Sequence, residues 1–196
     1  MPTSPSSRAT SSLDANRVFV ANVERLCRDD KRARADLRRG RGLRYDQSHG
    51  MHRHLVKYIS EHASADTREA RYAVAALIAN TPTDAPAATG AVPASLGASL
   101  GVAVRHGAMK PDSAEATLHL LTRQQRATVA RSLPALARQL QRADAAIDWA
   151  RLVDDLAGWD RDRDRIATRW LEHFYQTYQP HDNAQPDTTN PDPDSE

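Results

Sequence analysis

Residues 148–178 read DWARLVDDLAGWDRDRDRIATRWLEHFYQTY. Asp148 stands where a side-chain oxygen can accept the free N–H groups that open a helix, and Leu152, Val153 and Leu156 follow on one side. From about Arg161 a further helix is expected to reach Tyr178. Ile166, Trp170 and Phe174 fall four apart there, with Leu171, Tyr175 and Tyr178 beside them, so the aromatics read as core. The alternating run between them starts with the spacing of a calcium loop. Its sixth position is Arg165 where glycine is needed and its twelfth is Leu171 where glutamate is needed, so it reads as a solvated helix start.

Working outward, the apolar spacing is helical nearly throughout, and no segment shows clean strand alternation. Phe19, Val23 and Leu26 predict a first helix over Leu13–Arg28, capped by Ser11 or Ser12. A short basic helix fits Lys31–Arg39, with Gly40 as a left-handed terminator. Met51, Leu55, Tyr58 and Ile59 form the next stripe. Asp66 to Glu69 has capping spacing and opens a helix that Thr81-Pro82 stops. Ser95 can cap a helix through Val104, with Gly107 past its end. Asp112 and Glu115 repeat the capping spacing ahead of Leu118 and Leu121, and Pro134 suggests a helix that starts beside Leu133 and carries Leu136 and Leu140. The expected architecture is all-α: two small helical bundles, 13–80 and 95–178, joined by a Pro/Ala-rich linker at 81–94. Flexible residues 1–12 and a disordered acidic tail, 179–196, flank them.

The charge is unevenly placed. Of 27 basic residues only Lys31, Lys57 and Lys110 are lysine, against 25 acids and a net charge of +2. The tail holds five acids and no Lys or Arg, which leaves residues 1–178 at +7. Arg17 to Lys57 alone carries twelve basic and five acidic residues. Such a field attracts phosphate, although biased codon composition could also supply arginines that only solvate helix faces. No apolar run is long enough to span a bilayer, the first twelve residues lack a signal-peptide core, and the single Cys27 permits no internal disulfide. A cytoplasmic protein with no membrane partner is expected.

Catalytic and metal motifs are thin. His49, His52 and His54 lack nearby cysteines, and only Asp46 supplies a carboxylate, so no metal site is assigned. Asp154 and Asp155 are adjacent and point about 100° apart on a helix, which does not converge on a metal. Phosphate-cradling glycine loops, nucleophile elbows and Cys/His nucleophile arrangements are absent. No enzyme and no cofactor is expected.

Three motifs in order carry a resemblance: Leu37-Arg38-Arg39-Gly40; Ser95-Leu96-Gly97 followed by Leu120-Leu121; and Ile147-Asp148-Trp149, ten residues before Trp159 and ending in Trp170 and Phe174-Tyr175. Together, over about residues 15–178, they resemble the CasB family, the small subunit of the type I-E CRISPR surveillance complex, Cascade. The resemblance implies a non-catalytic all-α subunit present in two copies. Its partners would be the backbone and large subunits of Cascade, the guide RNA, the target DNA and the displaced single strand, whose R-loop it would stabilise in antiviral defence.

On that resemblance Arg38 and Arg39 match the family's basic dipeptide, and Arg41 and Arg44 extend the patch by proximity. Arg123, Arg126, Arg138 and Arg142 fall on or beside helices where relatives carry basic residues facing nucleic acid, and Arg161 follows Trp159 at a position that is often basic. Arginine forks suit sequence-independent phosphate contact. Where relatives have paired arginines entering the Leu-Leu helix, this chain has Glu115-Ala116-Thr117, so one contact is expected to be missing. The alternative is a helical protein–protein scaffold with no nucleic-acid contact, each arginine being a solvated charge or an internal ion pair.

Overall fold

The computed structural model describes residues 5–81 and 92–178, with side chains from residue 12 onward. Most of the linker, residues 82–91, the tail 179–196 and residues 1–4 lie outside this description. Among the described residues there are eight α-helices and no strand: α1 (Pro5–Asp29), α2 (Lys31–Arg39), α3 (His49–Leu55), α4 (Ala65–Asn80), α5 (Leu96–Arg105), α6 (Pro111–Thr122), α7 (Arg126–Arg142) and α8 (Trp149–Thr177). The fold is all-α, as the periodicity predicts.

Residues 148–178 form the centre of the fold. Asp148 caps α8, its Oδ1 accepting from the Arg151 N–H at 2.8 Å. The helix then breaks at Asp162, whose backbone leaves the helical region (φ −124, ψ 24). Two contacts show that its halves fold back on each other. Trp170 Nε1 donates to Asp155 Oδ2 at 2.7 Å, and the Trp159 and Trp170 rings lie 4.9 Å apart. In a straight helix those pairs would stand about 22 and 16 Å apart. The expected new helix near Arg161 is therefore present as the second limb of α8. Ile166, Trp170 and Phe174 are fully buried along it.

α5 lies against this second limb at backbone distance. A Cβ on Gly97 would sit 1.8 Å from the carbonyl oxygen of Trp170, and one on Gly101 would sit 2.7 Å from the Thr177 side chain. One face of α5 must therefore be bare, and two glycines four apart supply it. On the other side, α1 and α4 pack against α8 with Phe19, Val23, Val74 and Ile78 buried. Helices from both sides of the 82–91 segment thus contribute to one connected core. Arg71 is buried in it, donating to Asn16 Oδ1 at 3.0 Å and lying over the Phe19 ring, so α4 and α1 are tied by a satisfied charge.

Several local expectations shift, each for a visible reason. α1 begins at Pro5 instead of near Leu13, a proline being compatible with a first turn. α2 keeps its expected bounds, capped by Asp30, but Gly40 is right-handed (φ −74); the left-handed residue is Gly42 (φ 77). A Cβ at Gly40 would lie 2.0 Å from Met51 Sδ, so a larger residue there needs the Met51 side chain to move. Ser64, not Asp66, caps α4, which frees Asp66 and Glu69 for tertiary contacts. α6 starts with Pro111 and has no side-chain cap, so Glu115 is free to accept from the Tyr175 hydroxyl at 2.5 Å. α7 begins at Arg126, seven residues before the expected start, and carries Pro134 in its interior. Proline there costs about 3 kcal/mol. Burial of Val129, Leu133, Leu136 and Leu140 on one face, at about 1.5–3 kcal/mol each, outweighs it. Ser95 and Gly107 behave as predicted at the two ends of α5.

Two measurements check this account. Gly97→Ala should lower unfolding stability in urea by about 3 kcal/mol or prevent folding, because backbone cannot yield cheaply. Gly50→Ala, where a Cβ meets nothing within 4 Å, should stay within about 1 kcal/mol of the parent.

Asp155 gives the second test. Burial pushes its carboxyl up to about 6, against the opposing pull of Arg169 and the Trp170 N–H. A raised folded-state pKa means that the native state binds the proton more tightly. This group's contribution is then fully present below about pH 4 and is lost as pH rises through 6, a change of about 2–3 kcal/mol. Asp155→Asn should remove that slope, so the gap between parent and variant urea midpoints should change between pH 4 and 7.

Candidate nucleic-acid interface

Between Glu115 and Asp144 the chain has no acidic residue and five arginines: Arg123, Arg126, Arg131, Arg138 and Arg142. At 100° per residue, Arg131, Arg138 and Arg142 fall within about 40° of one another on α7, opposite Val129, Leu133, Leu136 and Leu140. Those four apolar residues are buried and the three arginines are exposed. The core therefore fixes which way the arginine stripe faces. Among the described residues none of the three has a carboxylate partner; Arg131 donates only to Thr128 Oγ1, at 3.2 Å.

α4 runs beside α7 in the same direction. Asp66, at the start of α4, pairs with Arg126 at the start of α7 at 2.7 Å. At the far ends Gln141 Nε2 donates to Thr81 Oγ1 at 2.8 Å. The 41–44 turn approaches α4 from the opposite side, anchored where the Tyr45 N–H donates to Glu69 Oε2 at 3.2 Å. Between turn and helix lies a groove of about 440 Å³. Small apolar residues, Ala70, Ala73, Ala127, Ala130 and Pro134, line it, and Arg41, Arg44, Arg126 and Arg131 reach it with Glu69 as the one acid.

The nine arginines singled out from sequence are thus used in different ways. Arg41, Arg44 and Arg126 meet in this groove, and Arg138 and Arg142 continue along the α7 face. Arg41, Arg123, Arg138 and Arg142 have no side-chain partner among the described residues. Arg44 is near Asp46, at 3.4 Å, with both side chains exposed, a pairing of little energetic weight. Arg126 is a clamp: it holds Asp66 and, at 3.1 Å, Asp160, with its side chain 20% exposed. Arg38 donates its Nε to the Ala79 carbonyl at 2.9 Å, supporting the end of α4 and leaving its two terminal nitrogens unpartnered among the described residues. Arg39 pairs with Asp36 at 2.7 Å. Asp36 also takes a hydrogen bond from His54, which, with Arg39, holds its carboxyl below the usual range.

Arg161 stands apart. It pairs with Asp162 at the break in α8 and lines a separate cavity of about 500 Å³, where Asp160 to Arg165 place three carboxylates among three guanidinium groups. Charge is balanced there, unlike in the groove. Arg131 was missed by sequence reasoning. Its signal was legible: it stands seven residues before Arg138 and eleven before Arg142, on one face of an acid-free helix.

The three imidazoles diverge. His54 reaches Asp36 at 3.0 Å, His52 stacks edge-on against Tyr72, and His49 packs against His52. Asp155, weighed above as a nuclease carboxylate, is buried in the α8 fold-back, and Asp154 accepts from the Ser12 hydroxyl of α1.

No curated protein matches the chain. Among solved structures, a chain of a CRISPR RNA-guided surveillance complex is 33% identical, with a TM-score of 0.74, covering 85% of this chain and 94% of its own. A chain of such a complex described as pre-nicking is 34% identical, with a TM-score of 0.75, covering 84% and 94%. A Cse2-family protein from Thermus thermophilus shares the fold at 24% identity, with a TM-score of 0.61, over 82% and 97%. The family model described as CRISPR-associated protein Cse2 matches residues 33–175, which span α2 to α8. The groove, the α7 face and all but the last two residues of α8 lie inside that match, and the chain belongs to the CRISPR-associated Cse2 family, the CasB family of Cascade small subunits.

Proposed function

We propose that this chain is a non-catalytic small subunit of a type I-E CRISPR surveillance complex. It grips nucleic-acid backbone to stabilise the R-loop, with the α7 face and the adjoining groove as its polyanion surface. The observation that carries this reading is the stripe of Arg131, Arg138 and Arg142, exposed, without carboxylate partners among the described residues, and continuous with the arginine-lined groove. Guide–target pairing already reads sequence, so the protein needs contacts that ignore it, and arginine on phosphate is such a contact. Exchange of a DNA duplex for an RNA–DNA hybrid is nearly balanced, so a few such contacts tip it. Arg38 and Arg39 extend the surface from α2, through the nitrogens that their internal contacts leave unused. The target strand, the displaced strand and the guide RNA are the proposed ligands, and the other Cascade subunits and a second copy of the chain are the proposed protein partners.

The isolated protein should bind single-stranded DNA weakly, and affinity should fall roughly 20- to 50-fold between about 50 and 200 mM salt if three to four phosphates are neutralised. Replacing Arg131, Arg138 and Arg142 together by Ala should leave the urea midpoint nearly unchanged, flatten the salt slope by about two and slow R-loop formation in the assembled complex. Salt-independent binding, or full R-loop formation by that variant, would favour the scaffold reading.

Arg126→Ala should behave in the opposite way. Loss of its contacts to Asp66 and Asp160 should cost about 1–2 kcal/mol of stability, read from thermal unfolding, with a smaller effect on the salt slope.

A further inference from the structure

The arginine face of α7 has a complement within the chain itself. Residues 179–196 contain Asp182, Asp187, Asp192, Asp194 and Glu196, four prolines and no Lys or Arg. The α7 face is the inverse: no acid between Glu115 and Asp144 and three arginines without carboxylate partners among the described residues, beside a groove where Arg41 faces α7 and Glu69 is the one acid. Reach does not restrict the pairing. Eighteen residues can span about 60 Å from Tyr178, whereas a folded body of this size has a radius of gyration of about 16 Å.

We propose that the acidic segment 182–196 docks on the arginine face of α7 and competes there with incoming nucleic acid. The inference rests on the reading of that face as a polyanion surface. A tethered ligand acts at an effective concentration near millimolar, so individually weak carboxylate–guanidinium contacts suffice to occupy the face. A strand that offers phosphates in continuous register displaces the segment, whereas a short or poorly placed one does not. The segment thereby raises the threshold for binding without altering the contacts made once binding occurs.

The test uses the full chain. A variant with Asp182, Asp187, Asp192 and Asp194→Asn and Glu196→Gln is compared with the parent for binding to a labelled oligothymidylate. The neutral variant should bind roughly three- to tenfold more tightly at about 50 mM salt, with the difference closing as salt rises. In parallel, a thiol-reactive dye is placed through Asn190→Cys. Cys27 is buried and its thiol is pushed up to about 11, so the dye goes to the introduced residue. Dye anisotropy should fall when the oligonucleotide is added, and should already be low when Arg131, Arg138 and Arg142 are replaced by Ala.

Equal affinity of parent and neutral variant overturns the docking while leaving the polyanion surface intact. No binding by either overturns both. Tighter binding by the neutral variant with an anisotropy indifferent to the three arginines would replace docking by long-range repulsion, and overturns the proposal.

Discussion

The hydrogen bond from Trp170 to Asp155 is the contact around which the molecule is arranged. It joins residues fifteen apart, on either side of the break at Asp162. Because the contact exists, α8 returns on itself, Trp159 meets Trp170, and the second limb lies against the glycine face of α5. A carboxylate buried to 1% exposure is expensive to hold ionised. The Arg169 guanidinium and the indole N–H offset part of that cost, and in doing so they select one geometry for the fold-back. Apolar pairing between the same limbs could not specify register as narrowly, since hydrophobic contact has no direction.

Helix identity was largely legible in the sequence because the buried side chains recur every three or four residues, and that spacing survives whatever packs against it. Leu152, Val153, Leu156, Ile166, Trp170 and Phe174 were placed by this signal alone, as was the interruption between the two limbs. Helix starts were less legible. Asp66 and Asp112 have the spacing of caps, yet Asp66 is drawn into an ion pair with Arg126, and α6 opens on Pro111. A short polar side chain can serve a backbone or a distant partner, and only the tertiary fold decides which. Pro134 misled for a related reason: the apolar face of α7 is long enough to carry a proline through its middle.

The same distinction governs the candidate interface. Nine arginines drew attention by motif or position, and the fold sorts them by what stands beside them. Arg126 is occupied by Asp66 and Asp160, Arg161 lies among alternating acids, and Arg39 has Asp36. Arg138 and Arg142 have no such neighbour among the described residues, and Arg131, on the same face of α7, likewise has no carboxylate partner there. Charge counting along the chain cannot separate these cases. The absence of acids over a whole helix can, because it removes the local partners with which an arginine would otherwise pair.

Placing the packing partner of the N-terminal helices at the other end of the chain also has a temporal side. α1 and α4 bury Phe19, Val23, Val74 and Ile78 in a core completed by α8, the final helix of the described residues. A ribosome adding about 5–20 residues per second needs roughly 5–20 s to travel from Asn80 to Thr177. Throughout that interval the apolar faces of α1 and α4 lack the cover that α8 gives them, and exposed apolar surface of that kind favours aggregation. The core that α1 and α4 share with α8 is therefore completed only when α8 has been synthesised.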